Sequence, residues 1–377
     1  MKSLRHSCPA LVLILALCAA CSAPVESAPQ HEASPVQHVI IIGVDALSAN
    51  GINIADTPVL DRLMDQGAYT LTARAVLPTS SSSNWKSMVS ASTPPLHGVT
   101  SNSWERDDYT LPPAATGMED IFPTLFGELR QQQPDATIAA VYAWDGFGRL
   151  IERSALNYDV GGRSDADTAQ LAAEYLTAER PDLMFVHLDY VDHVGHDDGH
   201  KTEAYYQAVS DADALIGVIV DAAESAGMMD ETVFIISSAH GGIGYGHGGE
   251  SLDELEIPFI VYGAGITSGY SIREYVNVQD VAATAAQLLA IEPHPAWVGR
   301  PILSTLVSRG DLRDSPGMAA IQTPLTKPTV LPAEYLYEPA GGFYLNETAT
   351  LEIVNNVDGA QIRYTLDGTD PGPDSVL

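Results

Sequence analysis

From His38 to Val44 the chain reads HVIIIGV, a nearly unbroken β-branched run of the kind that forms a strand covered on both faces. Four further apolar runs share this texture: Ala136 to Ala143, Asp182 to Asp189, Thr232 to Ser238 and Ile257 to Tyr262. Between them lie segments that predict helices. Thr57 to Gly67 has a Thr-Pro start and a Gly stop. Met118 to Gln131, Asp165 to Glu179, Thr202 to Gly227 and Val278 to Ile291 are the others. Strands alternating with helices predict an α/β fold with a mostly parallel central sheet and helices on both faces. In such sheets ligands bind beyond the carboxyl ends of the strands.

Both ends of the chain differ from this core. Residues 1–21 carry Lys2 and Arg5 ahead of the apolar run Leu11 to Ala20, too short to span a bilayer and of export-signal length. Ala19 and Ala20 precede Cys21, as in a bacterial lipoprotein box, although Cys18 stands where an aliphatic residue is usual. Lipidation of Cys21 is the expectation, and ordinary cleavage near Ala20 to Ala23 is the alternative; either gives an exported protein. Cys8, Cys18 and Cys21 are the chain's three cysteines, so a body starting at Cys21 has no intramolecular disulfide and no thiolate metal site beyond it. Residues 22–36 read as a polar tether, 37–308 as the catalytic domain and 309–327 as a turn-rich linker. In residues 328–377, Phe343 to Val354 and Ala360 to Leu366 read as short antiparallel strands. IRYTLDGTDP (Ile362 to Pro371) resembles C-terminal β-sandwich modules of secreted hydrolases, here expected to be partial.

Charge narrows the partners. Eighteen basic residues against 49 acidic ones give a net charge of −31 among 377 residues. That argues against a nucleic-acid polymer as partner and against attachment to anionic lipid through a polybasic patch. Any membrane attachment is expected only through a lipid on Cys21. An apolar content of 45% is ample for a core.

The chemistry-bearing residues gather at predicted strand ends. Asp45 closes the first strand. Asp192, His193 and His196 follow the strand ending near Asp189, in LDYVDHVGHDDGH. His240 and His247 follow the strand ending near Ser238, in SSAHGGIGYGHGG. A parallel sheet brings such ends to one edge. Mixed Asp and His donors suit zinc- or manganese-type cations, and two cations can clamp a phosphoryl group. LPTSSSSNWK (Leu77 to Lys86) places four serines at a predicted helix start, where backbone N–H groups attract anions. Arg149 and Arg163 are further candidate phosphate contacts, and Lys86 either meets phosphate or is solvated on a helix face. His97, His193 and His200 read as structural.

With these residues in place the chain resembles the alkaline phosphatase superfamily, specifically its type I phosphodiesterase and nucleotide pyrophosphatase branch, over His38 to Ser304. Gly43-Val44-Asp45 matches the opening Gly-x-Asp. Pro78, Thr79, Ser81 and Asn84 match the nucleophile motif, with Ser83 in place of its proline, and Pro94, His97, Gly98 and Val99 match the element that follows. Asp192 to His196 matches Asp-x-x-Gly-His intact.

The resemblance implies an alkaline-phosphatase-like fold, two divalent cations (zinc foremost), a small phosphoester substrate and Ser81 as the nucleophile that becomes a phosphoseryl intermediate. It places Asn84 in charge stabilisation. One cation would be held by Asp192, His196 and His247, and the other by Asp45, Ser81, His240 and an aspartate. The aspartate position is Ala239, which has no ligand atom. The second site is therefore in doubt, and Glu250 or a water is a candidate replacement. Impaired hydrolysis is one expectation, and a weak or inactive surface-anchored binding protein on the same fold is the alternative. SSSNW (Ser81 to Trp85) lacks the proline and arginine of formylglycine sulfatases.

Overall fold

The computed structural model describes residues 36–306 and the backbone of the strand segments 329–332 and 351–354. The expected export segment, most of the tether, the linker and the strand expected at Ala360 to Leu366 lie outside the described residues.

The chain order is β1 (His38–Val44), α1 (Ala49–Ile54), α2 (Pro58–Gln66), β2 (Ala68–Arg74), α3 (Ser81–Ser90), α4 (Pro94–His97), α5 (Leu125–Gln132) and β3 (Ile138–Tyr142). It continues with β4 (Tyr158–Gly161), α6 (Asp165–Glu179), β5 (Leu183–Leu188), α7 (Tyr190–Val194), α8 (Glu203–Ser225) and β6 (Thr232–Ser237). Last come α9 (Leu252–Leu255), β7 (Glu256–Gly263), β8 (Tyr270–Ser271), α10 (Asp280–Leu288), β9 (Thr329–Pro332) and β10 (Leu351–Val354).

Eight strands form one sheet in the order β4-β3-β5-β1-β6-β7-β2-β8. β4, β3, β5, β1 and β6 are mutually parallel, and β7 runs antiparallel to both β6 and β2. β1 is central and buried at every residue, which accounts for its apolar run. Val39 and Ile41 face one apolar layer; Ile40, Ile42 and Val44 face the other. Helices α3, α5 and α10 pack together on the first side, and α1, α2, α6 and α8 on the second.

Caps set several boundaries. Pro58 begins α2 at a position where a missing N–H costs nothing. Ser164 and Thr202 accept backbone N–H groups at the starts of α6 and α8. The helix expected over Met118 to Gln131 is broken: a single 3-10 turn at Met118–Asp120 precedes α5. Pro123 explains the break, because the residue before proline is driven out of helical conformation. β9 and β10 pair antiparallel, with β10 inside the strand expected at Phe343 to Val354.

Candidate metal centre

Ser81 is the first residue of α3, and a loop from Val76 to Ser80 delivers the chain to it. Asn84 holds this loop: its Oδ1 accepts the Val76 N–H at 2.7 Å, and its Nδ2 donates to the carbonyls of Pro78 and Ser80, each at 3.1 Å. The Asn84 amide was expected to meet developing charge, but it is fully buried and turned to the loop. Thr79 joins this loop to the one after β6. Its hydroxyl donates to the Gly249 carbonyl at 2.7 Å and accepts the Gly248 N–H at 3.0 Å.

Asp45 leaves the end of β1, almost wholly buried. Its Oδ1 accepts the Ala46 N–H at 3.0 Å and lies 3.3 Å from His240 Nε2. Its Oδ2 accepts the Trp85 indole N–H at 3.1 Å and lies 3.7 Å from His187 Nε2. Ser81 Oγ is 3.2 Å from His240 Nε2. The His240 and His247 rings stack at 3.8 Å. Asp192 Oδ1 lies 3.7 Å from His247 Nε2, and Asp192 Oδ2 lies 3.4 Å from His196 Nε2. The structure thus brings Asp45, Ser81, Asp192, His196, His240 and His247 to one edge of the sheet.

Three of these histidines share one arrangement. His196 Nδ1 faces the Tyr245 carbonyl at 2.9 Å, His240 Nδ1 the Gly241 carbonyl at 2.8 Å, and His247 Nδ1 the Thr79 carbonyl at 2.8 Å. A carbonyl only accepts, so each Nδ1 carries its proton and each Nε2 presents a lone pair, the usual state of a metal-ligating imidazole.

The electrostatics fit a cation. Burial pushes Asp45 upward, but His240, His187 and the Trp85 N–H outweigh it and hold Asp45 below the usual carboxylate range. Burial lowers His240 to about 4, against the opposing pull of Asp45. A neutral His240 Nε2 and an ionised Asp45 Oδ1 then face each other as two acceptors, and the Ser81 hydroxyl has one proton to offer them. Burial, reinforced by Asp45 and Asp189, pushes Asp192 up to about 9, and its Oδ1 is buried without a hydrogen-bond partner. A divalent cation satisfies both features. Asp192, His240 and His247 offer ligand atoms within 4.8 Å of one another, as do Asp45, His187 and Asp189.

Other expectations resolve case by case. Ala239 is fully buried in the apolar layer. Glu250 is exposed and belongs to neither of these groups. Lys86 is neither a phosphate contact nor solvated: it is fully buried and donates to the carbonyls of Phe122 at 2.7 Å and Leu150 at 2.8 Å. Arg149 donates to Ser82 Oγ at 3.1 Å, next to Ser81, pairs with Glu105 at 3.1 Å, and its guanidinium lies over the Trp144 ring. Arg163 pairs with Asp167. His97 is structural, donating to Ser87 Oγ at 2.9 Å while accepting the Val99 N–H. His193 is exposed and paired with Asp189 at 2.7 Å. Sequence reasoning overlooked His187 and the Trp85 bond to Asp45. The available signal was a histidine inside the apolar run LMFVHL.

Comparison with known proteins supplies the wider frame. The sequence profile described as type I phosphodiesterase / nucleotide pyrophosphatase matches residues 39–255, more than half of the chain. A curated relative, arylsulfatase K of Danio rerio, is 24% identical over 135 residues, covering 26% of this chain and 26% of that protein. The chain thus matches about a quarter of that relative's length. Human ectonucleotide pyrophosphatase/phosphodiesterase 5 superposes with a TM-score of 0.62 at 15% identity, over 72% of this chain and 100% of that chain. An inactive variant of the murine protein, in complex with AMP, gives 0.61 at 16% identity over 72% and 100%. An alkaline phosphatase superfamily protein from Vibrio parahaemolyticus gives 0.55 at 18% identity over 73% and 71%. At these identities the structural likeness is one of fold. The profile match and the assembled site agree, and the chain belongs to the type I phosphodiesterase / nucleotide pyrophosphatase family.

Proposed function

We propose that the protein is a metal-dependent phosphoester hydrolase, a phosphodiesterase or phosphatase, in which Ser81 is the nucleophile and Ala239 lowers turnover. The observation that carries this reading is the placement of Ser81 Oγ 3.2 Å from His240 Nε2, with Asp45 behind it. In the reading taken from the family motif, Asp192, His196 and His247 hold one divalent cation, while Asp45, Ser81 and His240 approach the other. Bound cations would neutralise the phosphoryl oxygens and ease loss of the Ser81 proton. Ser81 Oγ attacks phosphorus, the bond from phosphorus to the leaving oxygen breaks, and water then cleaves the phosphoseryl ester. Ser81 lies at the start of α3, where the helix dipole favours negative charge. Arg149, bonded to Ser82 and paired with Glu105 at 3.1 Å, holds a guanidinium next to the nucleophile. Asn84 acts by positioning the loop. The substrate is a small phosphoester, and the AMP bound to the murine relative directs the first trials to nucleotides. The reading includes export, with a lipid anchor on Cys21.

The test is hydrolysis of an aryl phosphodiester by zinc-loaded protein, by Ser81→Ala and by Ala239→Asp. Activity lost in Ser81→Ala and raised in Ala239→Asp is expected. Wild type as active as Ala239→Asp removes the impairment, and full activity in Ser81→Ala removes the mechanism. The alternative, a binding protein, is favoured by one observation, the ligand-free side chain at Ala239. Absence of hydrolysis in both wild type and Ala239→Asp, with retained binding to glycan or cell surface, would establish it.

A further inference from the structure

β5 carries a histidine that the apolar texture of the sheet does not explain. His187 is fully buried, at the register position opposite Gly43 of β1. Trp85, Phe147 and Trp144 surround its ring at centroid distances of 4.7, 5.9 and 6.2 Å. Neither ring nitrogen has a hydrogen-bond partner among the described residues. Each of the three histidines described above anchors Nδ1 on a carbonyl, and His187 has no such anchor. Buried polar atoms are ordinarily satisfied, and one that is not calls for a missing partner.

Two carboxylates converge on His187. Asp45 Oδ2 is 3.7 Å from its Nε2, near the ligand–ligand spacing of about 3.4 Å that tetrahedral Zn–N and Zn–O bonds imply. Asp189 sits at the end of the same strand, and ligand atoms of all three residues lie within 4.8 Å of one another. Asp189 Oδ2 also pairs with the exposed His193, and Asp45 Oδ2 also accepts the Trp85 N–H. Each carboxylate oxygen has lone pairs for a second contact. The two oxygens of Asp45 face different histidines: Oδ1 faces His240 and Oδ2 faces His187.

We propose that His187, Asp45 and Asp189 form a second divalent-cation site, for ions of the zinc or manganese class, to which His187 gives the ligand that Ala239 cannot. Asp45 then bridges two cation positions, one toward Asp192, His240 and His247 and one toward His187. The inference rests on the metal-dependent reading above but departs from its motif-based ligand set, moving the second ion from Ser81 and His240 to His187 and Asp189.

The test is metal content by elemental analysis after zinc loading and dialysis, for wild type, His187→Phe and Asp192→Asn. Phenylalanine suits the aromatic surroundings of residue 187, and circular dichroism checks the fold. Two zinc equivalents are expected in wild type and one in each variant. Zinc anomalous scattering from soaked wild-type crystals needs no variant and is expected to show a peak in bonding contact with His187. Two equivalents retained in His187→Phe overturn the inference. So do wild-type crystals with zinc beside Asp192 and His247 and none at His187, a result that leaves the metal-dependent reading standing. No zinc and no manganese bound by wild type overturns both.

Discussion

Ser81 Oγ and His240 Nε2 meet at 3.2 Å across 159 residues of sequence. The contact joins the start of α3 to the loop after β6. His240 Nδ1 is committed to the Gly241 carbonyl, so the Nε2 lone pair is the one that faces Ser81. On the proposed reading, removing the Ser81 hydroxyl while keeping this frame should abolish turnover. Ser81→Ala is expected to lower kcat on an aryl phosphodiester by on the order of 10⁴-fold or more. Zinc content should stay at one equivalent or above, because Asp192, His196 and His247 are untouched.

Asn84 should separate stability from binding. Its amide satisfies backbone groups of Val76, Pro78 and Ser80, all on the loop that leads to Ser81. Asn84→Ala takes the acceptor from the Val76 N–H, while the Pro78 and Ser80 carbonyls keep the N–H groups of Ser80 and Asn84; the cost is about 1–2 kcal/mol in unfolding free energy. Urea unfolding measures this. A displaced Ser81 should appear as a fall in kcat greater than any rise in KM.

Arg149 donates to Ser82 Oγ at 3.1 Å. Arg149→Ala is expected to raise KM for a charged phosphoester by about tenfold while the thermal midpoint shifts little, as steady-state kinetics and a melt would show.

Lys86 gives the chain a pH signature unconnected with catalysis. Burial lowers its pKa from 10.5 to about 7, with Glu152 opposing and Arg106 assisting. A neutral amine has two N–H donors, matching the carbonyls of Phe122 and Leu150. Between the folded value of about 7 and the unfolded value of 10.5 the unfolded chain binds more protons. Stability from this group therefore rises with pH across that window. Lys86→Met should lose this slope and be less stable at alkaline pH by about 2 kcal/mol, because two carbonyls lose their donor. Unfolding at a series of pH values would reveal a parallel curve in Lys86→Met if the assignment were wrong.

The sequence made some elements plain and hid others for identifiable reasons. The buried strands β1, β3, β5 and β6 stand out because both faces are apolar. β2 escaped notice because AYTLTAR is only partly buried, near the edge, and mixes polar with apolar positions. The antiparallel course of β7 left a trace in the sequence that went unread. No helix of crossover length separates it from β6, only a glycine-rich loop and the four-residue α9. At the site, residues clustered in short motifs were legible as ligand candidates. His187 was not, because a single polar residue within an apolar run looks like ordinary strand sequence until its nitrogens are seen without partners. Gly43 is similar. A Cβ there would fall 2.4 Å from the Trp85 ring, so the glycine makes room for the indole that reaches Asp45.

The carbonyls of Thr79, Gly241 and Tyr245 that orient His247, His240 and His196 belong to the main chain. Side-chain replacement cannot delete them, so the aim of these imidazoles is insulated from most point mutations at those three positions. The weakness lies in the path of the backbone. A Cβ at Gly241 would meet the Asp253 carbonyl oxygen at 2.1 Å, so even an alanine there must shift the strand of chain that steers His240. Composition at these positions is thus constrained through the path of the backbone it permits, and loop shape is what must be kept.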